Sequence, residues 1–91
     1  APQTLARAAR DFAVENPPFA VEAGVAALRW LLAGHGYEIT SKDVIDAYSH
    51  TMQAAETSGS VGQTEERIRT LLAAGGDGFV TRILEDRFAM Q

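Results

Sequence analysis

The most constraining feature of this sequence is an apolar segment, residues 19–33, that lies between a pair of prolines and a glycine. Its large apolar side chains fall on nearly every side of a helical projection, interrupted only by Glu22 and Arg29. A helix that is apolar on most sides is normally buried at the centre of a fold. The segment is also too short and too charged to span a bilayer. We therefore predict a central helix over residues 18–33, with proline at its start and glycine just after its end.

The other periodic segments also follow the helical period, and none alternates with a period of two over a useful length. Apolar stripes predict four further helices, over residues 3–15, 41–56, 65–74 and 78–89. The expected fold is all-α: a compact bundle of about five helices with the second at its centre. We expect residues 1–91 to form a single helical domain, which could also be a fragment or terminal unit of a longer helical protein.

Local sequence signals predict where three of these helices begin. Thr40 is the expected N-cap of the third helix, and Asp43 completes a variant of the capping box. Thr64 and Asp77 are the expected N-caps of the fourth and fifth helices. Residues 57–63 contain several serines and glycines and are predicted to be the most flexible stretch.

Composition and charge argue against several classes of partner and site. The net charge is −4, spread evenly over both halves, so no basic block exists to neutralise phosphates. A DNA-binding regulator would read a groove with the third or fourth helix, yet the fourth offers only Arg67 and Arg69 behind two glutamates. The chain has no cysteine, so disulfides, cysteine-bearing zinc fingers and thiol nucleophiles are excluded. We expect no cofactor, no nucleic acid and no membrane partner.

Origin and location are inferred from the basic residues and from targeting patterns. Arginine outnumbers lysine seven to one and alanine is abundant, a balance that is common in GC-rich bacterial genomes. No signal peptide or other targeting segment is visible. The expected source is therefore bacterial and the expected location cytoplasmic.

The leading functional hypothesis is a non-enzymatic helical interaction module, which either self-associates or docks on a protein partner. This hypothesis rests on the exclusions above and on the apolar central helix. The chain has few other helices to cover that helix. Aromatic side chains provide much of the binding energy at interfaces, and small side chains allow another backbone to approach closely. The candidate interface residues are Leu5, Phe12, Phe19, Ala20, Gly24, Ala27 and Trp30.

An alternative hypothesis is a small enzyme subunit or a metal-dependent enzyme. Asp46 and His50 are four residues apart on the polar face of the third helix, where a carboxylate could orient an imidazole as a base. His35 and Glu38 could join them, with His35 and His50 as the candidate metal ligands. No nucleophile lies in a motif typical of catalysis. We therefore favour a binding module over an enzyme.

A second alternative is the terminal piece of a helical-hairpin repeat array. The segment Arg29-Trp30-Leu31-Leu32-Ala33 resembles residues 69–73, and both are followed by glycines. Their separation of forty residues suits stacked helical hairpins. Two such units are fewer than a solenoid needs, so this hypothesis implies a longer chain or an oligomer.

Overall fold

The computed structural model describes residues 2–34 and 38–90, which form five α-helices and no strand. The molecule measures 33 × 24 × 20 Å along its principal axes. The prediction of an all-α helical bundle is confirmed. The helices are α1 (Pro2–Asp11), α2 (Pro17–Leu32), α3 (Ser41–Ser58), α4 (Val61–Ala73) and α5 (Gly78–Ala89).

The corner between α1 and α2 differs from the prediction. α1 ends at Asp11 rather than at residue 15, and the chain turns through residues 12–15. α2 then begins at Pro17, and the side chain of Asn16 caps it by accepting a hydrogen bond from the Phe19 amide at 3.4 Å. Pro17 disfavours helical backbone in the residue before it, and Asn16 accordingly lies outside the helical region at φ −146°. This separates the two helices at Asn16, but it does not explain why α1 already ends at Asp11.

α2 lies at the centre of the bundle and packs against each of the other four helices. Val25, Leu28 and Leu31 are its most deeply buried large side chains. α3 shares this position, since it too packs against all four other helices. The main core is therefore built between these two helices and covered by α1, α4 and α5.

The junction between α3 and α4 is also different from the prediction. α3 extends to Ser58, and Gly59 ends it in the left-handed conformation at φ +71°, so that α4 can begin at Val61. The predicted flexible stretch over residues 57–63 is therefore mostly helical. Thr64 does not cap α4 but lies one turn inside it, fully buried. A glycine that allows positive φ reverses the chain within two residues, which leaves little of this segment outside the helices.

The start signals of α3 and α5 are confirmed. Thr40 and Asp43 form the reciprocal capping box at the start of α3. Asp77 caps α5 by accepting a hydrogen bond from the Val80 amide at 3.1 Å. The C-terminal part of α5 is held on α3 by an edge-to-face contact between Phe88 and Tyr48, whose ring centroids are 5.6 Å apart.

Candidate functional site

An aromatic pair lies at the corner between α1 and α2. The rings of Phe12 and Phe19 meet edge to face with their centroids 5.2 Å apart. The contact leaves Phe12 41% and Phe19 48% exposed. Edge-to-face stacking stabilises the corner, but about half of each ring still faces solvent. This corner is therefore both ordered by aromatic packing and apolar at its surface.

The apolar surface continues along α2. Phe19, Ala26 and Trp30 are seven and four residues apart, so they lie on one side of this helix. Trp30 is 42% exposed and lies about 16 Å from Phe19 along the helix axis, at 1.5 Å per residue. We call Phe12, Phe19, Ala26 and Trp30 the outer α1–α2 face. Leu5, also predicted to be an interface residue, is half-buried and packs against the main core.

The predicted small-residue interface lies inside the fold instead. Ala20, Gly24 and Ala27 are all buried. Gly24 lies against Thr51 of α3 so closely that a Cβ atom added to the glycine would be 2.1 Å from the Thr51 hydroxyl oxygen. The close approach that small residues permit is thus used by α3 of the same chain. These three residues are not available to a partner, which corrects their prediction as interface residues.

Charged side chains on and near α2 differ in whether they form ion pairs. Arg67 of α4 donates two hydrogen bonds to the Glu22 carboxylate, at 2.5 and 2.8 Å. This bidentate contact holds the pKa of Glu22 below its ordinary value and raises that of Arg67. Glu15 and Arg29, by contrast, form no ion pair within 4 Å in the described part of the chain. An acidic side chain just before the start of α2 and a basic one near its end therefore form no close ion pair, although the charge of Arg29 also lowers the pKa of Glu22.

Asp46 and His50 line one groove between α1 and α3. The Asp46 carboxylate accepts a hydrogen bond from Lys42 at 2.5 Å, and no hydrogen bond between Asp46 and His50 occurs among the described side chains. Lys42 rather than His50 is thus the partner of this carboxylate. The geometry brings the two residues onto one wall but does not join them as a base and its orienting acid.

The other members of the suggested metal set are not assembled around these two. Glu38 is exposed and has a positive φ of 40°. His35 lies outside the described residues. Within residues 2–34 and 38–90, no group of three or more histidine or acidic side chains is placed to hold a metal ion.

The two similar sequence blocks occupy equivalent places in their helices. Residues 29–33 end α2 and residues 69–73 end α4, each followed by a turn. The repeat-array hypothesis stays a prediction, because two similar helix ends do not make two equivalent hairpins.

Arg67 and Arg69, the basic residues of α4, are paired with Glu22 and Glu66 respectively. None of the helices in the described ranges is long and apolar enough to cross a membrane.

Sequence reasoning missed two features of this surface. The predicted α1 includes Val14, but this residue follows the end of the helix and is 83% exposed. It is two residues after Phe12 in the sequence. The ion pair between Glu22 and Arg67 joins residues 45 positions apart, which no local pattern reveals.

Comparisons with protein-family models, curated proteins and solved structures found no match to this chain.

Proposed function

We propose that this chain is a non-enzymatic helical interaction module that self-associates through its outer α1–α2 face. The observation that carries the proposal is the Phe12–Phe19 pair, two ordered aromatic rings that each stay about half exposed. Its bacterial source and cytoplasmic location remain predictions.

The exposure of these rings does not come from a poorly covered core. The large side chains of the main core are buried, among them Leu28, Ile68 and Leu84. No buried side-chain polar atom in the part of the chain described lacks a hydrogen-bond partner. Covering both half-exposed Phe rings would contribute roughly 1–3 kcal/mol for each subunit. A second protein surface is therefore the simplest way to remove this apolar area from water.

The charges at the two ends of the face favour a second copy as that surface. Glu15 lies at the end that carries Phe12 and Phe19, and Arg29 lies beside Trp30 at the other end. Two copies related by a two-fold axis, with their α2 helices antiparallel, bring the acidic end of each against the basic end of the other. A two-fold interface has to be complementary to itself in this way.

Light scattering on a sizing column over a concentration series tests the proposal. We expect the unmodified chain to shift from 9.8 kDa towards twice that mass as concentration rises. The double variant Phe12→Ser/Phe19→Ser should remain monomeric and helical. Phe79→Ser is the matched control, because Phe79 is 52% exposed but lies at the start of α5. Association should persist at high salt, since apolar burial is not screened as exposed charges are.

Two outcomes would contradict self-association. A 9.8 kDa mass at every concentration would show that a second copy does not cover the face, and a different protein would then be sought as its partner. A dimer that survives the double Phe variant but not Phe79→Ser would place the interface on α5 instead.

A further inference from the structure

The groove between α1 and α3 has the size of a small-molecule site. Its volume is about 360 Å³, and its lining includes buried Ala6 and Leu31 together with charged side chains on both walls. Sites for small ligands have volumes of about 300–1,000 Å³ and combine apolar lining with a few placed polar groups. This groove lies apart from the outer α1–α2 face and is not needed for the function proposed above.

Ion pairs already neutralise some of the charges in and beside the groove. Lys42 is bound to Asp46 at 2.5 Å, and Arg10 is bound to Asp11 at 2.8 Å. The carboxylate of Asp43 accepts a hydrogen bond from the Thr40 amide as part of the capping box. Each of these three carboxylates is therefore already engaged by a neighbour.

Arg7 and His50 are the two ionisable lining groups that neither an ion pair nor the capping box engages. Neither forms an ion pair or a hydrogen bond with another described side chain. Both act electrostatically on Asp11: its pKa is lowered first by the hydrogen bond from Arg10, and further by the charges of Arg7 and His50. An arginine and a histidine with no partner among the described side chains thus both line the groove, and both lie within electrostatic reach of Asp11.

We propose that the α1–α3 groove binds a small oxyanion, a carboxylate or phosphate group, between the Arg7 guanidinium and the His50 imidazole. A guanidinium presents paired N–H donors that match the two oxygens of either group. An imidazole N–H adds a third donor from the opposite wall. The apolar side chains of Ala6 and Leu31 would contact the carbon part of such a ligand.

Amide chemical-shift titration by NMR tests this site with two separate probes, inorganic phosphate and succinate, each at constant ionic strength. We expect saturable shifts confined to α1 and the first three turns of α3. Replacing Arg7 with Gln should weaken the binding by about tenfold, the effect of losing a charged hydrogen bond. Arg7 is exposed, so this variant is expected to fold. Saturation by phosphate alone, succinate alone or both identifies the group that the groove recognises.

The matched control is Arg82→Gln, because Arg82 is also exposed and unpaired among the described ion pairs but lies on α5. This variant should bind as the unmodified chain does. The proposal is overturned if neither probe gives saturable shifts up to tens of millimolar. It is overturned equally if Arg7→Gln binds as tightly as Arg82→Gln, or if the shifts lie on α4 and α5.

Discussion

Gly24 of α2 and Thr51 of α3 lie in direct contact at the centre of the bundle. A Cβ atom on Gly24 would be 2.1 Å from the hydroxyl oxygen of Thr51 and 3.1 Å from its Cα atom. Thr51 cannot easily move away, because its hydroxyl donates to the Ala47 carbonyl at 2.6 Å and its side chain is fully buried. The separation of the two central helices is therefore set at this point by the absence of a side chain.

Replacing Gly24 with Ala should accordingly destabilise the fold. The added methyl group pushes α2 and α3 apart, and such overpacking costs about 1–3 kcal/mol. Gly62→Ala is the matched control, since Gly62 is also helical but has no atom near its added Cβ. There the substitution should be neutral or stabilise the chain by up to about 1 kcal/mol. Urea unfolding measures both changes, and equal midpoints for the two variants would contradict the contact.

Gly76 should be sensitive for a different reason. Its φ is +156°, and an added Cβ would be 2.7 Å from the carbonyl oxygen of Leu32. That same oxygen accepts a 2.8 Å hydrogen bond from the Asp77 amide, which fixes the α4–α5 connection on the end of α2. Gly76→Ala should therefore combine backbone strain with loss of this bond, at a total cost of about 2–4 kcal/mol.

Gly75→Ala separates these two contributions. Gly75 also has a positive φ, +88°, but no atom lies within 4 Å of its added Cβ. The variant should show backbone strain alone, about 1–2 kcal/mol. Thermal unfolding of both variants gives the comparison. If Gly75→Ala costs as much as Gly76→Ala, the extra cost expected from the close approach of Gly76 to Leu32 is contradicted.

The capping box at the start of α3 gives a local prediction. Thr40→Ala removes the oxygen that accepts from the Asp43 amide at 3.2 Å, and should cost about 1 kcal/mol. The neighbouring substitution Ser41→Ala removes a hydroxyl from an exposed position and should change stability by less than about 0.5 kcal/mol. Hydrogen exchange of the first α3 amides should accelerate only in Thr40→Ala. Unchanged exchange in that variant would show that the cap does not hold this turn.

Burial of Tyr48 predicts a loss of stability in alkaline solution. Burial of its phenol against α5 raises the pKa of Tyr48 above its ordinary value, with the charge of Glu65 adding to the effect. The unfolded chain therefore releases this proton at a lower pH than the folded chain. The contribution of Tyr48 to the free energy of unfolding is complete below the ordinary pKa of about 10. It falls as the pH rises from there towards the folded pKa.

Urea unfolding at several pH values above 9 measures this dependence. In Tyr48→Phe the ring and its contact with Phe88 remain, but the ionisable hydroxyl is absent. This variant should lose less stability over the same pH interval. A pH dependence identical to that of the unmodified chain would assign the effect to other groups.

Interactions between near neighbours in the chain made much of the fold predictable. The helical period identified all five helices, and the caps at Thr40 and Asp77 each involve a backbone amide three residues away. Where a competing local signal acted, the boundary moved. Gly59 ended α3 and left Thr64 inside α4, although threonine at that position resembled a cap.

The sequence by itself therefore determined an all-helical chain with a mostly apolar second helix and most of its helix starts. Only the tertiary structure decided which apolar residues remain at the surface. Gly24 is buried because α3 occupies that side of α2, whereas Phe19 is half exposed because no helix of the described chain covers its outer side. The ion pair between Glu22 and Arg67 depends on the same packing of distant helices. Periodicity places residues on a face, but burial depends on which elements of the fold then cover that face.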